Sequence, residues 1–413
     1  MTRKERIIVL LLAGLNFTHI LDFMIMMPLG NYLMPYFNIS PKQFTFLVSA
    51  YSISAAISGF IAAFVVDNFD RKKVLALSYV GFLVGTIACG FAPSYNLLFA
   101  SRILAGIFGG IIGAQVLAII ADIFSYERRG AAMGSVMSAF AVASIIGVPV
   151  SLYLTNIFHD DWHIPFMLVG IVGIVLLPLI IRFVPPMDSH ILESEKKEHP
   201  LLVLGKVLQT PEQRSALIFS GLLMMGHFLI IPFINPYLEF NKGFSKDLTP
   251  MIYLVGGIAS LIAAIYLGRI SDKKGKLPVF SLSVFFSLFM VILITRMPTV
   301  PFAVVLSFFA IWFVLATGRA VTAQAMISEV VKPEQRGSFM SFNGSIQQIG
   351  TSIASLVAGL IVLKDKAGRI HRYEWLGYLS IAVLLASLVL GRYLFAGIDK
   401  KASLPVTEGN LNQ

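Results

Sequence analysis

Three polar side chains interrupt the first long apolar run of this chain at three-residue steps: Asn16, His19 and Asp22. This spacing predicts that they share one side of a helix, and Asp22 is the only carboxylate deep inside any apolar run. A carboxyl group held away from water has a proton affinity that answers to its surroundings. Desolvation favours the neutral acid, and a nearby cation favours the carboxylate. The chemistry this permits is reversible proton uptake at Asp22, with His19 as a relay or only a hydrogen-bonding neighbour. The plainer alternative has Asp22 reaching water near Pro28 and capping polar groups there. Two cations also fall inside apolar runs. Arg102 could tune Asp22, or its stem could extend along the helix to the nearer surface. Arg319 has no partner obvious in sequence and could meet an anionic substrate or a cluster of carbonyls.

The elements that must position these groups are long and apolar. The 413 residues are 57% hydrophobic and 13% charged, with a mean hydropathy of +0.81, so there are too few polar groups to cover a water-soluble domain. A bilayer-spanning helix needs about 20 apolar residues. Candidate spans are Ile7 to Leu33, Phe44 to Val66, Val74 to Phe91, Leu97 to Phe124, Ala131 to Ile157, Ile164 to Val184, Ala216 to Leu238, Met251 to Leu267, Leu277 to Ile294, Phe302 to Val330, Phe339 to Leu363 and Leu376 to Phe395. The expected fold class is therefore an all-α membrane protein of about twelve transmembrane helices. Arg3, Lys4 and Arg6 ahead of the first run resemble the start of a secretory signal. That run is too long, holds Asp22 and lacks a small-residue cleavage site, so it reads as a retained helix.

The net charge of +10 does not suggest nucleic-acid binding, because the cations lie in short clusters between apolar runs and form no continuous basic face. With an N-terminus inside the cell, 22 of the 32 Lys and Arg residues fall on cytoplasmic segments, eight on outer segments, and Arg102 and Arg319 within spans. Positive charge at membrane ends stays cytoplasmic, so both termini are expected there, in the inner membrane of a cell. The single cysteine, Cys89, excludes a disulfide framework and reads as a small buried residue. No pattern calls for a metal or a cofactor. Gly268 to Lys276 superficially resembles a phosphate loop, but its glycine spacing is wrong and Leu277 stands where Ser or Thr is required. An enzyme is not expected, and an intramembrane enzyme using Asp22 and His19 is a minor alternative.

The chain reads as two copies of one unit. Ala63-Phe-Val-Val-Asp67-Asn68-Phe69-Asp70-Arg71 and Gly268-Arg-Ile-Ser-Asp272-Lys273-Lys274-Gly275-Lys276 are both short charged turns between apolar runs, half a chain apart. Glu127-Arg128-Arg129-Gly130 matches Glu334-Gln335-Arg336-Gly337, and Asp122 matches Glu329 at the same offset; His19 and Pro28 match His227 and Pro236. The expected domains are a first six-helix bundle over 1–184, a linker over 185–214, a second bundle over 215–396 and a tail over 397–413. Leu201 to Leu208 in the linker could lie along the membrane surface or serve as a plain tether.

The repeat and the G-x-x-x-D-x-x-G-[RK] character of its second turn resemble the loop signature of the major facilitator superfamily, the twelve-helix secondary transporters. Ala63, Asn68 and Asp70 depart from that pattern in the first turn. The resemblance implies two pseudo-symmetric bundles around a site near the midplane, working by alternating access as a monomer. It implies a cytoplasmic gate in which Asp67 and Asp272 dock against a helix of the opposite half, Arg71 pairs with Asp122, and Lys276 pairs with Glu329. Solvated loop charges are the alternative. Arg102-Ile-Leu-Ala-Gly106 resembles the family's R-x-x-x-G in its proton-handling helix, which adds Arg102 to Asp22 and His19 as coupling residues. Gly147-Val148-Pro149 resembles the kink of the efflux branches, the drug:proton antiporters and sugar efflux permeases, and Trp162 to Phe166 resembles their W-R-x-x-F.

A substrate cavity is expected to draw on Asn16, Met24, Met26 and Met27, His227, Arg319, and Asn343, Gln347 and Gln348. Methionines adapt to varied apolar ligands. The function expected is proton-coupled export of small amphipathic or lipophilic molecules, with small-molecule substrate, protons and lipid as the only partners. The alternatives are a proton-coupled importer of a sugar or other polar nutrient, and a membrane sensor or scaffold that transports nothing.

Overall fold

The computed structural model describes residues 1–124, 126–188, 205, 207–331 and 336–397, the side chains of Ala63, Asp67, Ala121, 126–127, 129–131 and 336–338 excepted. Most of the proposed linker, most of the Leu201 to Leu208 stretch, nearly all of the tail and most of the Glu127/Glu334 match lie outside the described residues.

Among the described residues twelve helices are long and apolar enough to cross a membrane. They are α1 Arg3–Ile25, α2 Pro41–Ala62, α3 Arg71–Gly90, α4 Tyr95–Ile120, α5 Ala132–Ile157, α6 Ile164–Phe183, α7 Pro211–Asn241, α8 Lys246–Lys274, α9 Lys276–Thr295, α10 Phe302–Ser328, α11 Phe339–Ile361 and α12 Tyr373–Phe395. Local chemistry sets their starts. Thr2 with Glu5 and Ser40 with Gln43 form capping boxes on α1 and α2, each satisfying two otherwise orphaned donors. Asp70 accepts from Lys72 N at 2.9 Å and so starts α3 at Arg71, three residues before the apolar run predicts. Ser94 caps α4.

Two spans predicted as continuous are broken. After α1 the chain turns at residues 26–29 and resumes as a short helix, Gly30–Tyr36. In α7 the regular helix ends at Phe228 and continues through a 3₁₀ turn at Ile231–Phe233 and a π turn at Tyr237–Asn241. Pro28 and Pro232 with Pro236 supply the reason, since proline removes a backbone donor and clashes with the preceding turn. The breaks fall at matching places in the repeat, Pro28 against Pro236. A hairpin that hydropathy does not reveal, β1 Leu363–Lys364 and β2 Ile370–His371, joins α11 to α12.

Packing repeats with a step of six helices. α1 packs on α5 and α6, α2 on α4, and α3 on α4 and α6; α7 packs on α11 and α12, α8 on α10, and α9 on α10 and α12. The two bundles meet along α2 with α11 and α5 with α8, themselves related by the same step. Large apolar side chains such as Leu10, Leu77, Val84, Ile171 and Val389 stay exposed on the outer faces, as a protein solvated by lipid requires. The charged turns, the first residues of α1 and the last of α12 share one face, called here the turn face; the hairpin lies on the far face.

Candidate functional site

Asp22 and Arg102 form an ion pair buried from every direction. Arg102 Nη1 donates to Asp22 Oδ2 at 2.6 Å, and both side chains have 0% exposure. Thr86 Oγ1 on α3 donates to the other carboxylate oxygen at 3.1 Å. The Tyr51 ring lies under the guanidinium, 4.5 Å from its carbon, in cation–π range. Arg102 therefore does not extend to the surface; its charge is held beneath α1, α2 and α3. At 1.5 Å per residue Asp22 lies about 28 Å along α1 from Arg3, toward the far face. Arg102 Nε and Nη2 and Tyr51 Oη have no hydrogen-bond partner among the described residues.

Close helix approach makes this burial possible. A Cβ built at Gly106 would stand 2.1 Å from Ser54 Oγ and 2.4 Å from Tyr51 O, so only glycine lets α4 lie directly on α2 one turn past Arg102. On the other side of α1, a Cβ at Gly147 would stand 2.8 Å from Leu21 Cδ1. The kink expected at Gly147 and Pro149 takes the form of a π turn over Ala143–Gly147, the adjustment that lets a helix absorb a proline. Helix α8 meets the first half at this turn, with Gly257 against Ile145 and Ser144.

The face expected from Asn16, His19 and Asp22 is split. Asn16 Nδ2 donates to Val136 O on α5 at 3.1 Å, whereas Asp22 turns to α3 and α4. Each three-residue step drifts by about 60° on a 3.6-residue helix, so two steps separate the ends by about 120°. His19 packs among Tyr51 and Phe82, with ring centroids 6.1 and 5.9 Å away, and its Nδ1 has no hydrogen-bond partner among the described residues. It makes no hydrogen bond to Asp22. Thr86 and Tyr51 escaped the sequence reading because a lone hydroxyl in an apolar run carries no periodic signal. Cys89 lies beside Arg102.

The second half holds a different arrangement. Arg319 on α10, 2% exposed, donates from Nη2 to His227 Nδ1 on α7 at 2.6 Å. The His227 ring stacks on Trp312, centroids 4.9 Å apart. Of the other cavity candidates, Met26 is fully buried where α1 ends, Asn343 is 1% exposed with an unpartnered Oδ1, and Gln347 donates to Ser220 Oγ at 3.0 Å. The two halves touch here through Phe23 and Phe228, centroids 5.9 Å apart.

The turn-face pairs form, and each stays within one half. Arg71 Nε lies 2.6 Å from Asp122 Oδ2, and Lys276 Nζ 3.3 Å from Glu329 Oε1. Neither bridges the bundles, because α3 neighbours the end of α4 and α9 the end of α10 in their own halves. Asp272 is exposed and without a hydrogen bond or ion pair among the described residues; the Asp67 side chain lies outside them. Among the described residues the polar links between halves lie toward the far face. Asn31 donates to Glu239, Lys246 pairs with Asp160, Lys364 Nζ donates to Ile39 O at 3.2 Å, and Ser49 Oγ to Ser352 O at 3.3 Å. On the turn-face side the halves touch through Phe60 and Phe64, at the end of α2, against Phe342 of α11, centroids 5.8 and 6.3 Å apart.

Comparison with known proteins agrees with this architecture. The sequence profile described as Major Facilitator Superfamily matches residues 12–323 and 216–410. An uncharacterized MFS-type transporter of Bacillus subtilis (strain 168), YceJ, is 25% identical over 344 residues, covering 82% of this chain and 85% of that protein. Multidrug resistance protein 2 of the same organism is 24% identical over 278 residues, covering 66% and 68%. The crystal structure of a D-xylose-proton symporter superposes with a TM-score of 0.70 at 16% identity, covering 93% of this chain and 96% of that one, a likeness of fold.

Proposed function

The chain belongs to the major facilitator superfamily, and from that premise we propose that this transporter exports small amphipathic or lipophilic molecules in exchange for protons by alternating access, with Asp22 as the proton carrier. The observation that carries this is the Asp22–Arg102 pair at 2.6 Å with no exposed side-chain surface. A buried pair is balanced only while both partners are charged, and removing one charge leaves the other uncompensated. A proton delivered to Asp22 from the far face cancels the carboxylate charge, weakens its hold on Arg102, and leaves the cation to seek other acceptors. Movement of α4 relative to α1 then follows protonation, a coupling of charge to a two-state element.

Further support comes from the resemblance to Multidrug resistance protein 2 and from the methionine and aromatic surfaces of α1 and α7. In this reading the turn face is cytoplasmic, both termini lie there in the inner membrane, and the protein acts as a monomer. The cation bias of 22 to eight supports that orientation. The far-face links would then be the outer gate, closed in the state described.

Proteoliposome flux against an imposed pH gradient tests the reading. Export predicts substrate moving opposite to protons and an Asp22→Asn variant that exchanges substrate downhill but no longer accumulates it. Co-movement of substrate and protons would instead establish import, and full accumulation by Asp22→Asn would remove Asp22 from coupling.

A further inference from the structure

We infer that Arg319, His227 and Trp312 form the anion-binding part of the substrate site, so that the molecules carried are amphipathic organic anions bearing a carboxylate or a similar oxyanion. This rests on the transport reading above and deepens it by naming a substrate class.

The two halves differ in charge. In the first half the buried cation Arg102 has its carboxylate. In the second half Arg319 is 2% exposed and no acidic side chain among the described residues pairs with it. A guanidinium removed from water without a counter-charge is costly, and such groups in membrane proteins face one another, a carbonyl cluster or a ligand. Its one side-chain partner among the described residues, His227, is neutral. Arginine only donates, so the contact from Nη2 requires His227 Nδ1 to accept. The imidazole proton then sits on Nε2, and the ring itself becomes a further donor. Arg319 Nη1 and Trp312 Nε1 are buried donors without acceptors among the described residues.

Three donor groups thus gather around one stacked pair, Arg319 directly bonded to His227 and His227 lying on Trp312 at 4.9 Å. Trp312 and Arg319 are seven residues apart on α10, two turns along one face. A cluster with a net positive charge and more donors than its one acceptor, His227 Nδ1, can satisfy is completed by an anion, and a planar oxyanion matches the fork of a guanidinium. The aromatic wall of Trp312 and Phe228, continued across the interface by Phe23, supplies the apolar surface for the rest of the molecule. His227 and Phe228 keep part of their surface uncovered within the span, and the break in α7 begins directly after them, placing the cluster at a joint of the bundle.

The test is binding by the full-length protein in lipid nanodiscs with no ion gradient. The probes are 2-naphthoate, the neutral 2-naphthylmethanol and the cation 2-naphthylmethylammonium. In a background where Trp162 and Trp375 are replaced by phenylalanine, Trp312 fluorescence reports the site directly. The expected result is saturable quenching and thermal stabilisation by 2-naphthoate at concentrations at least tenfold below either analogue. Arg319→Gln should abolish that preference, Arg319→Lys should keep part of it, and His227→Asn should weaken 2-naphthoate binding several-fold in a protein of unchanged elution and helix content. Equal binding of the three probes by the unaltered site, or an undiminished preference in Arg319→Gln, would overturn the assignment. Because no gradient is applied, these outcomes are independent of proton coupling. Full accumulation by Asp22→Asn, or co-movement of substrate and protons, with the anion preference intact would overturn export by proton exchange through Asp22 and leave the anion site standing.

Discussion

Asn31 of the first half donates a hydrogen bond to Glu239 of the second, at the two places where helices α1 and α7 are broken by proline. With Lys246 to Asp160 and Lys364 to Ile39 O, it ties the halves together on the face opposite the charged turns. Each such bond contributes on the order of 1 kcal/mol. Removing two, with Asn31→Leu and Lys364→Met, is expected to raise the population opened on the far face by roughly ten- to thirtyfold, since about 1.4 kcal/mol is a factor of ten. Maleimide labelling of Ser352→Cys, buried at that interface, reads the change. An unaltered labelling rate would show that these links do not hold the halves.

The Asp22–Arg102 pair separates stability from coupling. Asp22→Leu or Arg102→Leu alone leaves a buried charge unpaired, which costs about 3–5 kcal/mol. The double substitution removes both charges and should recover most of the lost thermal stability while remaining unable to accumulate substrate. A double variant as unstable as either single one would mean that the surrounding packing, and not the charge balance, sets the cost.

Two glycines on one helix should respond differently. Gly106→Ala forces a methyl to within 2.1 Å of Ser54 Oγ, whereas a Cβ at Gly113 meets nothing within 4 Å. Overpacking costs about 1–3 kcal/mol, so Gly106→Ala should lower the midpoint of thermal unfolding and reduce transport. Gly113→Ala should leave both within error. Equal tolerance at the two positions would count against the close approach of α4 to α2.

The hairpin on the far face has its own pH dependence. Asp365 accepts from His371 at 3.0 Å and from the amides of Ala367 and Arg369; these bonds, that from His371 foremost, hold its carboxyl below the ordinary carboxylate range. A carboxyl lowered in the folded state contributes stability that is present above its unfolded pKa and is lost as pH falls through the folded value. Amide exchange of the hairpin should therefore stay protected near neutrality and rise only in strongly acidic solution, and Asp365→Asn should flatten that dependence.

Much of the scaffold was legible in the sequence because lipid imposes a one-dimensional rule. Every span must be long, apolar and internally hydrogen-bonded, so twelve runs reported twelve helices, and the spacing of the charged turns reported the duplication. The buried cations Arg102 and Arg319 were legible too, since a charge in an apolar run is conspicuous wherever it points. Asp22 was one of two destinations open to Arg102, and Arg319 had no partner in view. Arg102 reaches an acid 80 positions away and Arg319 a histidine 92 positions away, and such choices depend on rotation and close approach of helices that hydropathy leaves free.

The same division separates the two ends of the molecule. Sequence alone determined that Arg71, Asp122, Lys276 and Glu329 share one face, because charge between spans cannot enter the hydrocarbon. Only the tertiary structure decided that these pairs close within each half and that the polar links between halves among the described residues lie at the other end. Lys246 and Lys364 look like ordinary loop residues, and Asn31 and Glu239 stand unremarked in and beside apolar runs until the proline breaks in α1 and α7 bring those two together. Contacts across a duplicated bundle arise from how two finished surfaces meet, and no local periodicity records that meeting.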